Sequence, residues 1–158
     1  MADAMEVQLA DAIVTELNAV AQSTWAVQGW EAERTWSPWD ETPDVRDTPR
    51  VHVLPMTCPM SQRESRAGPW SFEYGIAIDV QQLVPLGNGV VDKATCDLLT
   101  RLCEQLHDFY RDEHVILTDG SRKWVVWTAE RPQLFVAERL WTEHVFESFL
   151  ELTIRGCR

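Results

Sequence analysis

The chain reads as a single α+β domain spanning residues 1–158, a mixed and mostly antiparallel sheet flanked by two helices, with a long β-hairpin loop. Three observations predict this class: two stretches carry apolar residues at three- and four-residue steps, several runs alternate apolar with polar residues, and breaks containing Gly, Pro or Asp separate them. A length of 158 residues suits one domain with a real core. Hydrophobic residues make up 45% and charged residues 25%, the ordinary globular range. No apolar run approaches the roughly 18 residues of a membrane span, so a soluble protein without membrane contact is expected.

Residues 4–22 set Met5, Leu9, Ala12, Ile13, Leu17, Val20 and Ala21 at helical spacing, with Glu6, Gln8, Asp11, Thr15, Glu16 and Asn18 mostly between them. This is an amphipathic helix for which Asp3 can serve as N-cap. WAVQGWEAERTW alternates weakly, as a strand would, and SPWDETPDVRDTP, with three prolines and a cluster of acids, is a loop. RVHVLP is a short strand with Val51 and Val53 on one side and His52 and Leu54 on the other, stopped by Pro55. MTCPMSQRESRAGP is an exposed connection. From Trp70, WSFEYGIAIDVQQLV alternates Phe72, Tyr74, Ile76, Ile78 and Val80 against Ser71, Glu73, Gly75, Ala77 and Asp79. That period of two marks a strand, paired with RVHVLP across the long loop as an extended hairpin.

PLGNG breaks the chain, and Asp92 caps a second helix whose apolar face is Ala94 or Thr95, Leu98, Leu99, Leu102, Cys103, Leu106, Phe109 and Tyr110. TDGSRK is a turn, because Asp-Gly tolerates the positive φ of tight reversals. KWVVWT and LFVAERLW follow as strands, separated by Glu130-Arg131-Pro132. Trp141-Thr142-Glu143-His144 supplies a hairpin turn into VFESFLELTIRG. In that closing strand Phe146, Leu150, Leu152 and Ile154 face one way, and Val145, Glu147, Phe149, Glu151 and Arg155 the other.

Little in the sequence carries chemistry. The opening MADAMEVQLADAIV has acids but no Lys or Arg, which is not the pattern of an export signal. Without one, Cys58, Cys96, Cys103 and Cys157 are expected as free thiols, and the seven-residue step from Cys96 to Cys103 is too long for a mutual bridge along one helix. Cys103 and His107 are four apart, a spacing that suits two metal ligands, but no C-x-x-C or H-E-x-x-H accompanies them, so packing is the expected role and no metal is assigned. Glu113-His114 and Glu143-His144 are read as solvated charge at turns. No G-x-G-x-x-G, G-x-x-x-x-G-K-[ST] or G-x-S-x-G occurs, and scattered acids such as Asp40-Glu41 or Asp108 with Asp112 make no acid/base dyad. The sequence therefore argues against an enzyme and assigns no cofactor. Its net charge of −11 argues against a grip on nucleic acid, since such affinity comes largely from cation contacts that release counterions. Eight tryptophans, four of them (Trp25, Trp30, Trp36, Trp39) within fifteen residues, fit either a Trp-rich core or an interface.

The opening helix, RVHVLP, the long loop, FEYGIAIDVQ, the helix TCDLLTRLCEQLHDF and the closing FVAERLWTEHVFESFLELTIRG, taken in order, resemble the tail terminator (tail completion) proteins of long-tailed bacteriophages. V-x-V-x-P, then Y-x-I-x-I-x-V, then an apolar strand ending at Arg-Gly carry the likeness. WEAERTWSPWDETPDVRDTP is longer and richer in Trp than that family's pattern. The resemblance implies a mixed sheet with two flanking helices, a homo-oligomeric hexameric ring capping the tail tube, and a location in the virion after assembly in host cytoplasm. The partners it implies are the tail tube protein and the head-side connector or stopper protein, with genomic DNA passing through the lumen unbound. On this basis the 56–69 loop, with Met56, Met60, Arg63 and Arg66, is the expected tube contact, and Trp36, Trp39 and Trp70 are the expected interface anchors. Two other readings stay open. One is a head-side stopper or adaptor of the phage neck, and the other an acidic DNA-mimic inhibitor presenting Asp40, Glu41, Asp44 and Asp47.

Overall fold

The computed structural model describes residues 4–37, 48–56 and 73–157. In chain order these form α1 (Met5–Ala19), a 3-10 turn (Gln22–Thr24), β1 (Ala32–Arg34), β2 (Arg50–Met56), β3 (Glu73–Leu83), β4 (Leu86–Gly87), β5 (Val90–Val91), α2 (Lys93–Tyr110), β6 (Val115–Asp119), β7 (Arg122–Glu130), α3 (Ala137–Thr142) and β8 (Val145–Cys157). Six strands make one sheet in the order β1-β2-β3-β8-β7-β6, antiparallel except where β1 lies parallel to β2, and β4 and β5 pair separately. The α+β class and the mostly antiparallel sheet follow the sequence reading. β2 and β3 pair with Val53 opposite Ile78; residues 57–72 between them lie outside the described ones.

The period-two pattern places the core. Paired residues share a face, so Val51, Val53, Ile76, Ile78, Val80, Leu150, Leu152, Ile154 and Val126 all point to one side. They form a single cluster with Leu9, Ile13 and Leu17 of α1 and Leu99, Leu102, Leu106 and Tyr110 of α2. Each fully buried Leu, Ile or Val in it contributes about 1.5–3 kcal/mol. α1 touches β1, β2 and β3 and also β6 at the far edge, so the sheet curves around it. At that far edge His114 Nε2 meets Glu16 Oε1 at 2.6 Å.

Several expectations change. The cap residue of α1 is Ala4, without a side-chain hydrogen bond, rather than Asp3, and the helix stops at Ala19 because Val20 is extended. α2 begins as expected: Asp92 accepts from Thr95 N at 2.9 Å, and this bonding to Thr95 lowers its pKa. Leu98 is exposed instead of joining the apolar face. LFVAERLW is not a strand: Ala137–Thr142 form a third helix that also takes up Trp141 and Thr142 of the expected turn. VILTD, unassigned from sequence, is strand β6. The weak alternation of WAVQGWEAERTW yields only the three residues of β1. Asn88 and Gly89 have φ of 54° and 76° and close the β4–β5 hairpin, where Asn-Gly suits the left-handed turn.

Candidate functional site

On the face opposite the core, the same alternation aligns polar side chains from three neighbouring strands. His52 of β2 stands opposite Asp79 of β3, and Gln81 of β3 stands opposite Glu147 of β8. α3, which packs on β8, adds Arg139. All five are buried: Asp79 and Glu147 have no exposed surface, and His52, Gln81 and Arg139 keep 5%, 6% and 7%.

The contacts form a continuous line. Glu33 Oε1 of β1 lies 3.1 Å from His52 Nε2. His52 Nδ1 lies 3.9 Å from Asp79 Oδ2, an ion-pair separation too long for a hydrogen bond. Gln81 Nε2 donates to Asp79 Oδ2 at 2.6 Å and to Glu147 Oε1 at 3.0 Å. Arg139 Nη1 donates to Glu147 Oε2 at 2.9 Å, while its Nε and Nη2 donate to Glu143 Oε2 at 3.1 and 3.0 Å.

Burial sets the electrostatics of this line. The Asp79 carboxylate raises the His52 pKa, with burial opposing and Glu33 assisting. Burial raises the pKa of Asp79, which His52, Gln81 and Arg139 only partly counter. Burial, then the Asp79 charge, raises Glu147 against the pull of Arg139 and Gln81. Burial also works against the Arg139 charge, but Glu147 and Glu143 more than offset it, and its pKa rises. With Asp79 and Glu147 sealed from solvent, no solute reaches their oxygens. The arrangement holds charge and fastens two peripheral elements, β1 and α3, to the central strands.

The residues singled out from sequence lie elsewhere. Trp36 is 67% exposed just past β1, with the Arg34 guanidinium 5.8 Å from its ring centroid. Met56 is half-buried at the end of β2. Since β1 and β2 run parallel with Arg34 beside Val53, Trp36 and Met56 leave the sheet at the same end. Trp39, Met60, Arg63, Arg66 and Trp70, with Asp40, Glu41, Asp44 and Asp47, lie outside the described residues. Trp25, Trp30 and Trp124 belong to the core, whereas Trp127 and Trp141 join Trp36 on the surface.

Cys96 and Cys103 are free; Cys58 and the side chain of Cys157 lie outside the described residues. Burial pushes the Cys103 thiol up to about 11, and His107 meets the Ala129 carbonyl at 3.1 Å, so the pair is occupied with packing. Among the described residues no group of three His, Cys, Asp or Glu could hold a metal ion. His114 and Glu143 are engaged by Glu16 and Arg139 rather than simply solvated.

An open groove of about 540 Å³ runs between Gly29–Glu33 and Thr48–Val51. Its floor is structural: Asn18 brackets the Ala32 backbone at 2.7 and 3.0 Å, and Gln22 holds Gly29 N and Trp30 O, both at 3.0 Å. Among the described residues no helix is long and apolar enough to cross a membrane. Compared with known proteins, the chain matches no protein-family model and no curated sequence.

Proposed function

We propose that the protein is a structural, non-catalytic virion component that forms a ring at the head-proximal end of a phage tail tube, ends polymerisation of the tube, and joins the tail to the head connector. The observation that carries this reading is element order. An opening helix, an antiparallel strand pair joined by a long connection, a second helix and a closing strand follow one another in the order of the resemblance. Self-assembly has material to work with: among the described residues the outer edges of β1 and β6 pair with no further strand, and Trp36 projects where β1 ends. A ring of chains at −11 each would present an acidic lumen that repels a phosphate backbone and lets DNA slide.

Native mass spectrometry of the purified protein, alone and with tail tubes, tests the proposal. The expected result is a six-copy species, either free or formed on the tubes, with Trp36→Ala reducing it while leaving the fold intact. Binding to portal-bearing heads but not to tubes would move the assignment to a head-side stopper. A monomer or dimer that ignores both and instead binds a DNA-handling enzyme tightly would replace it with the DNA-mimic reading.

A further inference from the structure

The buried line on the outer sheet face has an uneven charge count. Asp79 and Glu147 bring two carboxylates with no exposed surface, and the only buried guanidinium among the described residues of the line is Arg139. Around it stand Glu33 on β1, 69% exposed in its side chain, half-buried Arg50 beside Gln81 in the strand register, and Glu143 at the C-terminal cap of α3, 51% exposed. The charges that act on Asp79 are His52 and Arg139, and Arg139 already serves Glu147 and Glu143. An uncompensated carboxylate in such a place costs several kcal/mol. His52, between Asp79 and Glu33, is the group that can supply the missing positive charge.

We infer that the Glu33–His52–Asp79 end of this line is a proton-operated tie that fastens β1 to the sheet when His52 is charged and loosens it when the proton leaves, while the Arg139–Glu147 end holds α3 at every physiological pH. The asymmetry follows from the two cations, since a guanidinium keeps its proton and an imidazole does not. A charged His52 carries a proton on both ring nitrogens and faces a carboxylate on each side. A neutral one has a single N–H, leaving Asp79 or Glu33 unanswered. Glu33 is surface-exposed and can turn to water, so β1 is the element released. β1 is only three residues long; beside its ladder with β2 it is held by Asn18, which brackets the Ala32 backbone at 2.7 and 3.0 Å, by Arg34 Nε on Asp11 Oδ1 at 2.7 Å, and by Thr35 N on the Val53 carbonyl at 3.0 Å, none of which ties the Glu33 side chain. Trp36 follows directly, so the tie governs how firmly that exposed ring is presented.

The sign is set by His52. Its folded pKa lies above the ordinary value of about 6.5, so its contribution is complete below that pH and is lost as pH rises through the folded value. Asp79 and Glu147 are also raised, so their contributions are complete below the ordinary carboxylate range and are lost as pH rises through the raised folded values, the same direction as His52.

Hydrogen exchange of the full chain between pH 6 and 9, corrected for base catalysis of the chemical step, tests the inference. The amides of Glu33–Thr35 should open more readily as pH rises, by up to about tenfold for each unit separating the folded and open His52 values, whereas the amides of Leu140 in α3 and of its cap residue Glu143, which bond the Val136 and Arg139 carbonyls, should not change. Asp79→Asn removes the surplus charge and should abolish the pH dependence of β1. Retention of the wild-type dependence in Asp79→Asn, or a flat wild-type profile, overturns the tie. If Asp79→Asn does not fold, the His52 ring signal of the wild type decides by NMR. A midpoint above about 6.5 coinciding with β1 opening supports the tie, and any other midpoint overturns it.

Discussion

Gly156 shows how tightly one residue can be specified. It sits opposite Trp124 across β7 and β8, and a Cβ there would fall 2.8 Å from Trp124 Cζ3 and 3.2 Å from Arg122 Cδ. The indole fills the space of the missing side chain, with Tyr74 edge-on at 5.4 Å between ring centroids. Gly156→Ala should therefore force the Trp124 ring outward and lower stability by about 1–3 kcal/mol, the range for overpacking, read as a fall in denaturation midpoint with altered Trp fluorescence. This demand was invisible in the sequence, where Gly156 follows an alternating strand and reads as its end. Asp79 and Glu147 were hidden for a related reason. Each was visible at the polar phase of an alternating strand, and alternation separates two faces without saying whether the second is wet. Only strand register, which brings His52, Asp79, Gln81 and Glu147 side by side, makes the cluster apparent.

Elements were legible in proportion to their length. α2 and β3, with 18 and 11 residues, repeat their periods often enough to be unmistakable. α3 has only six residues, fewer than two turns, and Leu134, Val136 and Leu140 in even positions imitate a strand. What makes it helical is tertiary: Arg139 reaches Glu143 one turn on while also bonding Glu147, and Leu140 is buried. Removing one partner of such a buried pair leaves the other charge stranded. Arg139→Met should cost about 3–5 kcal/mol, whereas Arg139→Met combined with Glu147→Leu should recover much of the loss. Urea denaturation of the two single variants and the double variant measures this directly. β6 was missed because its five residues lie against a helix end and a turn, with Asp112 and Glu113 both at positive φ before it.

For the whole molecule, the class, the helix-covered sheet face and the β2–β3 pairing were readable from sequence, because they rest on period and punctuation. The parallel attachment of β1 and the central place of β8 were not, because they are non-local. The proposed interface residues were chosen from composition and resemblance, and of them Trp36 and Met56 emerge at one end of the sheet. The net charge of −11 makes copies repel one another, so ring formation should strengthen as salt rises from about 0.02 to 0.2 M and the screening length shortens. Sedimentation velocity across that range at fixed protein concentration checks the trend; weaker assembly at higher salt would point to contacts dominated by opposite charges. β8 lies between β3 and β7, and its Arg155 bonds Glu73, 82 residues earlier. During synthesis one of the sheet's two central strands thus follows every other strand out of the ribosome. Until it arrives, β3 has an open hydrogen-bonding edge and the core lacks Phe146, Leu150, Leu152 and Ile154. High contact order of this kind makes folding slow and late, so the nascent chain is a natural client for chaperones that shield unpaired strands.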